Sequence, residues 1–375
     1  MADTTATIWD CFSGLRDPRA SRREKKHRLL DIVAIALCAV TAGAGDWPEV
    51  VAFAQARQDW LKTFLALPNG VPSRSTFERV FAALSPAGLQ RCLLRWLHGC
   101  GRALGIGHVA LDGKAVRGSG RPGAGLAALH LVSVWASQAR LCLGQVAVDE
   151  KSNEITAIPR LLTLLQLKGA LVTIDAMGCQ KEIARDIIAA GADYVLTVKD
   201  NQPNLAEDIL ATFVAAEEVD FRGYEHDTYE TEERGHGRTE KRSYTVLYNL
   251  EQIRDREQWE ELKVIGLCYS ERSVGPKRGE ELRLFIGSRR AGAKTYGEAL
   301  RDHWGIENNL HWQLDVTFGE DRSRVQERTN AQNLALLRKW ALNLLGRAPG
   351  DDSIKVKRYK AALNTAFLEQ VLNGR

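Results

Sequence analysis

The first part of the chain follows helical periodicity. Apolar residues between positions 47 and 65 recur at spacings of three and four, and an apolar, alanine-rich run precedes them. The polar turn from Pro72 to Thr76 offers N-cap residues to the next helix. The helices expected here are 29–42, 47–65, 77–84 and 89–104. We therefore predict a small all-helical domain over residues 1–103.

After residue 107 the pattern changes to short apolar runs that are typical of buried strands. Strands are expected at 108–111, 130–136, 141–148, 170–175 and 193–199, and helices at 154–167, 180–190 and 202–216. The order β-β-β-α-β-α-β-α predicts three antiparallel strands followed by parallel strands added after crossover helices. It fits an α/β, ribonuclease-H-like fold, in which the first and fourth strands lie side by side at the centre of the sheet.

A change of pattern separates this region from the last helices. Tyrosines stand among Thr, Glu and Arg from about 219 to 290, and strands are expected at 264–269 and 282–288. The final helices are expected at 296–314, 331–345 and 354–372. We interpret residues 104–375 as one domain with a β-rich insertion at about 219–290.

Composition narrows the class of protein only slightly. The chain has 375 residues, a net charge of +4 and 45% hydrophobic residues, which is ordinary for a globular protein. A local basic run precedes the first helix and suits phosphate contacts as well as it suits a solvated surface; its cations are Arg19, Arg22, Arg23, Lys25, Lys26 and Arg28. Seven scattered cysteines, no signal-peptide pattern and no long apolar run lead us to expect a cytoplasmic protein without a membrane segment.

Two apolar strands end in an aspartate. Asp112 follows Val109–Leu111 and Asp175 follows Val172–Ile174. An ionised carboxylate beside buried aliphatic residues is costly unless a cation or strong hydrogen bonds compensate it. A single such aspartate is usually a cap or turn residue. Two of them on neighbouring strands, roughly 5 Å apart, favour a divalent cation with oxygen ligands, Mg²⁺ or Mn²⁺.

A third carboxylate is expected on the helix near position 307. At helical spacing His303, Glu307 and His311 share one face. Spacing alone does not select Glu307 over Asp302 or Asp315. Trp304 and Trp312 lie on a neighbouring stripe and are expected to pack inside, although such a stripe could also meet DNA.

Several other chemistries lack their motifs in this sequence. The two histidines around Glu307 are eight residues apart, whereas a zinc protease needs HExxH. The sequence contains neither a GxxxxGK[ST] phosphate loop nor a GxSxG nucleophile elbow. We therefore expect no zinc hydrolysis and no nucleotide cofactor.

Together these segments resemble the DDE transposases of bacterial insertion sequences, in the branch of H-repeat-associated proteins. The resemblance covers almost the whole chain. The matching segments are 17–19, 27–32 and 72–77 in the N-terminal part, 110–118 around the first aspartate, 174–180 around the second, 194–203 on the next strand, and 303–321 around the glutamate. This chain departs from the Tyr/Arg/Glu/Lys signature of related transposases, since it has Leu300, His303 and Leu314 at those positions.

The resemblance implies a ribonuclease-H-like domain whose catalytic and metal-binding triad is Asp112, Asp175 and Glu307. It implies two Mg²⁺ ions, cleavage at the terminal inverted repeats of an element, and strand transfer into target DNA. DNA is the expected partner, so the resemblance also implies a nucleoid-associated protein. Pairing of two ends implies a homodimer or a larger assembly.

Polar residues near the strand ends and on the glutamate helix are candidate DNA contacts. They are Lys114, Arg117, Lys199, Asn201, Gln202, His303, Asn308 and His311. A second basic stretch in the insertion is a weaker candidate, namely Arg234, His236, Arg238, Lys241 and Arg242. All could equally be solvated surface residues. Two other functions stay open: an inactive or domesticated DNA-binding relative, and a ribonuclease-H-like nuclease of another role.

Overall fold

The computed structural model describes residues 8–19, 24–99, 106–149, 153–235 and 237–374, and it has a mixed α/β fold. The strands are β1 His108–Val116, β2 Leu129–Ala136, β3 Leu141–Ala147, β4 Leu171–Ile174, β5 Asp193–Val198, β6 His226–Gly235, β7 Arg238–Leu247, β8 Val264–Val274 and β9 Lys277–Gly287. The helices are α1 Leu29–Thr41, α2 Trp47–Ala56, α3 Gln58–Leu61, α4 Arg74–Ala83, α5 Pro86–Gly99, α6 Glu154–Leu162, α7 Lys181–Ala189, α8 Pro203–Glu218, α9 Ala293–Gly305, α10 Arg328–Arg347, α11 Ile354–Leu363 and α12 Thr365–Asn373.

One sheet carries all nine of these strands, in the order β3-β2-β1-β4-β5-β9-β8-β7-β6. Strands β1, β2 and β3 pair antiparallel, whereas β4 runs parallel to β1 and β5 runs parallel to β4. The predicted neighbourhood of the first and fourth strands is therefore confirmed. It brings the residues that follow Leu111 and Ile174 to the same place in the sheet.

The insertion extends this sheet instead of forming a separate layer. Strand β9 pairs antiparallel with β5, and β8, β7 and β6 follow as an antiparallel meander. The sequence indicated β structure here without delimiting β6 and β7. The reason is that most of β6 is exposed on both faces, so the alternation of apolar and polar positions is absent.

The N-terminal region is helical, as predicted, and packs on the C-terminal part of the chain. Helix α10 is buried along most of its length and lies between α1, α4 and α5 on one side and β3 on the other. Two tryptophans illustrate the packing, since Trp47 and Trp340 are both fully buried in the same core cluster. The predicted helix end at 104 and the predicted domain boundary at 103 fall outside the described residues.

Three predicted helices are divided or change helix type, while the helix expected at 154–167 ends at Leu162 and the one expected at 77–84 begins at Arg74. The helix expected at 47–65 is divided at Arg57, which has a non-helical backbone. The helix expected at 354–372 is divided at Asn364, whose side chain accepts from the Ala366 and Phe367 amides and so starts α12 as an N-cap. The helix expected at 296–314 begins at Ala293 and continues beyond Gly305 as π-helix. No helix in the described ranges combines the length and apolarity that a membrane span requires.

Candidate active site

The two aspartates lie on one face of the sheet. Asp175 follows the end of β4, as predicted, whereas the first strand does not end at Leu111: β1 runs on to Val116, so Asp112 lies in its middle and pairs with Ser133 of β2. Ala110 pairs with Thr173 and Leu111 with Ile174, so Asp112 and Asp175 occupy equivalent positions one residue further on. Strand β4 ends there, and the Asp175 carboxylate accepts from the Met177 amide at 3.1 Å. Burial raises the pKa of the Asp175 carboxyl, and the charges of Asp112 and Glu154 raise it further.

Glu307 reaches this region from the π-helical segment Ile306–His311. Burial raises the pKa of its carboxyl, and the charges of Asp112 and Asp175 add to that rise. His311, one turn further on, points its Nδ1 at Asp112 Oδ2 across 3.3 Å. The fold thus gathers three acidic side chains whose charges act on one another.

The π-helical backbone explains which face of this segment is buried. Its buried residues recur at every fourth position, at Ile306, Leu310, Leu314 and Phe318. In an α-helix of 3.6 residues per turn such a stripe would rotate steadily away from the core. The wider π turns, marked by the bond from the Trp312 amide to the Glu307 carbonyl, offset this rotation.

The prediction that Trp304 and Trp312 pack inside is wrong. Each lies two positions away from the nearest of the buried residues that recur at every fourth position. Trp304 is 38% exposed and Trp312 is 53% exposed. The Arg283 guanidinium lies 5.1 Å from the centre of the Trp304 ring, which is a cation–π geometry. Two large aromatic faces therefore meet solvent beside Glu307.

A cleft of about 410 Å³ opens in front of Asp112. Its lining residues are Asp112, Gly113, Lys114, Ala115, Arg117, Glu307, His311, Asp315 and Asp321. Five residues expected from the sequence thus share one cleft, namely Asp112, Lys114, Arg117, Glu307 and His311. Asp175 acts on this group through its charge but does not line the cleft.

Two of the predicted DNA contacts near Asp112 carry ion pairs. Lys114 lies between Asp315 and Glu320, with Nζ–oxygen distances of 2.5 Å and 2.8 Å. Arg117 is 83% exposed and lies 3.7 Å from Asp321. Lys114 is thus tied to one acid within the π-helical region and one just after it, while Arg117 faces solvent.

The predicted contacts after β5 support the Asp175 turn. The Asn201 amide donates to the Ala176 carbonyl at 2.8 Å, and the Gln202 amide donates to the Cys179 carbonyl at 2.9 Å. Both side chains therefore hold the backbone that follows Asp175. Lys199 is exposed, and so is Asn308 on the π-helix.

His303 is held against the sheet. Its Nδ1 lies 2.9 Å from Thr173 Oγ1, and His108 Nε2 approaches the same oxygen at 2.9 Å. Burial lowers the pKa of His303, and it lowers that of His108 to about 3. This pair is therefore neutral near pH 7 and fixes α9 on β1 and β4.

The two basic stretches carry nearby acids. Arg234 and Lys241 pair with Glu232, and the nearly buried Arg242 pairs with Glu233 and Glu240. Arg238 pairs with Glu240, and His236 lies outside the described residues. In the N-terminal run, Arg19 and Lys25 pair with Asp17, whereas Arg22 and Arg23 lie outside the described residues.

Sequence reasoning missed two acids close to the site. Glu320 is fully buried beneath Lys114, and Glu154 lies against Gly113, directly after Asp112. Both are distant in sequence from Asp112 and Asp175, so no periodicity links them. The signal that could have indicated Glu154 is Gly113, because a glycine inside a strand marks a place where another group can approach closely.

The donor set fits a hard divalent cation. Among the described residues, no three His, Cys, Asp or Glu side chains stand close enough together to hold a metal ion as they are oriented. The charge of Asp112 nevertheless raises the pKa of both Asp175 and Glu307, and a bound cation would remove this repulsion. Carboxylate oxygens are the ligands that Mg²⁺ and Mn²⁺ prefer.

Comparison with known proteins places the chain in a family. One family model, described as DDE_Tnp_1-associated, matches residues 9–97, and a second, described as Transposase DDE domain, matches residues 103–344. These matches define the class of the protein, that of the DDE transposases. The chain belongs to the Transposase DDE domain family, in its H-repeat-associated branch.

The similar proteins match nearly end to end. "Putative transposase YncI" of Escherichia coli O157:H7 is 39% identical over 371 residues, which are 98% of this chain and 94% of that protein. "H repeat-associated putative transposase YhhI" of Escherichia coli K12 is 35% identical over 93% of each chain. A solved piggyBac transposase synaptic complex with hairpin DNA aligns with a TM-score of 0.41 and 11% identity, over 94% of this chain and 75% of that chain.

Proposed function

We propose that this transposase cuts DNA at the terminal inverted repeats of an insertion sequence and joins the freed ends to target DNA. The observation that carries the proposal is the convergence of Asp112, Asp175 and Glu307: Asp112 on β1 lies beside the end of β4, and its charge raises the pKa of both other carboxyls. The strand order and directions of β1 to β5 support a ribonuclease-H-like core for this chemistry. In this proposal residues 1–103 form the associated helical domain and residues 104–375 the catalytic domain, with the insertion at about 219–290.

Asp112, Asp175 and Glu307 would hold two Mg²⁺ ions, with Mn²⁺ as an alternative. Such ions supply an activated water or 3′-hydroxyl and stabilise the leaving oxygen in attack on phosphorus. The protein's own part is to fix the three carboxylates. His311 faces the Asp112 carboxylate, and Asn201 and Gln202 hold the turn after Asp175. The packing of His303 on Thr173 fixes α9, which leads into the Glu307 segment.

The surface beside the cleft suits DNA. Arg117 and Lys199 offer exposed cations for backbone phosphates. Asn308, Trp304 and Trp312 offer a polar group and two aromatic faces on the helix that carries Glu307. Two ends must be held together for joining, so the proposal includes a homodimer or a larger assembly on DNA.

The test is cleavage of a duplex that bears the inverted repeats read from the flanks of the gene, with Mg²⁺. Asp175→Asn should abolish nicking, because it removes one charge while an amide oxygen can still accept from the Met177 amide. Asp46→Asn is the matched control, since Asp46 also caps a helix and asparagine caps equally well. Equal cleavage by Asp175→Asn and wild type would refute the assignment. Metal-independent binding without any cleavage would favour an inactive DNA-binding relative, and turnover on repeat-free DNA or RNA–DNA hybrids would favour another nuclease.

A further inference from the structure

A fourth carboxylate lies directly behind the first aspartate. Glu154 is the first residue of α6, and its side chain is 15% exposed. A Cβ added to Gly113 would lie 2.0 Å from Glu154 Oε1 and 2.6 Å from Oε2. The carboxylate therefore occupies the space that any other residue at position 113 would fill.

The glycine is required by this contact and not by its backbone conformation. Gly113 is absent from the positive-φ residues, so an alanine could adopt its backbone. Side chains alternate along β1, which directs Asp112 and Lys114 to one face and leaves position 113 on the other. The missing side chain lets Glu154 approach, from the opposite face, the backbone that carries Asp112.

A histidine holds Glu154 in this position. His130 on β2 places its Nε2 2.6 Å from Glu154 Oε1, and the register sets His130 opposite Ala115, two residues beyond Gly113. The charge of Glu154 also reaches Asp175. A largely shielded carboxylate, held by His130 against Gly113 and acting on Asp175, increases the repulsion that a cation would relieve.

We propose that Glu154, held by His130 in the gap left by Gly113, is a fourth acid of the metal site and strengthens its hold on a divalent cation. This inference rests on the proposed function, because it assumes that Asp112 and Asp175 bind that cation. Glu154 lies on the face of β1 opposite Asp112. It acts through its charge and by packing against the backbone at Gly113, so it is a positioning residue. Outer groups of this kind commonly change metal affinity by about 10- to 100-fold.

The test is calorimetric titration of the full-length protein with Mn²⁺, without DNA, at pH 8.5, where His130 retains less of its proton than at neutral pH. Glu154→Gln preserves shape and a hydrogen bond to His130 but removes the charge, and it should weaken Mn²⁺ binding about 10-fold or more. Its melting temperature without metal should stay close to that of wild type. Glu182→Gln is the matched control, because Glu182 is an exposed acid in the first turn of the neighbouring helix α7. This control should bind Mn²⁺ as wild type does.

A double-mutant cycle tests the role of the gap. Gly113→Ala should weaken Mn²⁺ binding by displacing the Glu154 carboxylate, and it should add no further loss once Glu154→Ala has removed that group. The inference is overturned if Glu154→Gln binds Mn²⁺ like wild type, or if the Gly113→Ala loss persists unchanged beside Glu154→Ala. If Asp112→Asn binds Mn²⁺ as tightly as wild type does, the proposed function itself is overturned.

Discussion

Glu320 is a carboxylate without exposed surface, and it faces cations from two elements. Lys114 on β1 lies 2.8 Å from it, while Arg338 and Lys339 approach from α10. Burial alone would raise the pKa of Glu320, but Lys339, Lys114 and Arg338 lower it to about 2. The charge is therefore retained in the folded protein, and it ties the strand of Asp112 to the central helix.

We predict that Glu320→Gln destabilises the protein by about 3–5 kcal/mol, because it leaves buried cations without their partner. Urea unfolding near pH 7 measures the effect, with the exposed Glu251→Gln as a control expected to stay within about 0.5 kcal/mol. The folded pKa lies below the ordinary 4.5, so the wild-type advantage is present above pH 4.5 and is lost as the pH falls through about 2. A difference between variant and wild type that is unchanged from pH 7 to pH 3 would contradict this account.

Single residues also show how much of the candidate site could be predicted from the sequence. Asp112 and Asp175 come after apolar segments of β1 and β4, and their meeting depends only on the predicted strand order, which the sheet confirms. The predicted end of the first strand at Leu111 was wrong, because β1 continues through Asp112 to Val116. Glu154 and Glu320 reach the same region through side-chain contacts made after folding. Sequence spacing carries no record of such contacts, so these acids were not predicted.

Among the elements, the helix from Ala293 to Thr317 departs most from its predicted form. Helical spacing placed Glu307 and His311 on one face, and both do line the cleft. The same spacing failed for Trp312, because it assumed 3.6 residues per turn across a segment that adopts π turns. Trp304 lies before those turns, in the last turn of α9, and is exposed there. The fourfold repeat of Ile306, Leu310, Leu314 and Phe318 was the available signal.

A prediction follows for the exposed side of that helix, which carries Trp304, Asn308 and Trp312. Trp312→Ala should leave stability nearly unchanged, since half of the side chain is exposed, and should weaken binding of inverted-repeat DNA by about 5- to 100-fold through lost stacking. Trp312→Phe, which keeps an aromatic face, should retain most of the affinity. Fluorescence anisotropy at fixed salt gives the affinities, and urea unfolding checks the fold. Unchanged DNA affinity in Trp312→Ala would show that this face does not meet DNA.

Helix α10 connects the N-terminal helices to the sheet. Trp47 Nε1 donates to Asn330 at 3.1 Å, the Asn333 amide donates to the Phe81 and Leu84 carbonyls at 2.8 Å, and Arg338 donates to the Gly45 carbonyl at 2.8 Å. On its other side α10 holds β3, where Asn343 bonds the backbone of Cys142. One hydrophobic core therefore contains the N-terminal helices, α10 and the sheet.

We therefore predict that the N-terminal helices and the sheet unfold together, in one calorimetric transition of the full-length protein. Trp47→Ala removes a fully buried indole of the N-terminal part and should cost about 3–5 kcal/mol. Because α10 transmits this loss to β3, the variant should lower the single melting temperature as a whole. Trp312→Ala, an equal truncation at an exposed position, should barely change it. If Trp47→Ala instead separates an early transition from one that keeps the wild-type temperature, the helices and the sheet are independent folding units, and the coupling through α10 is structural contact without cooperativity.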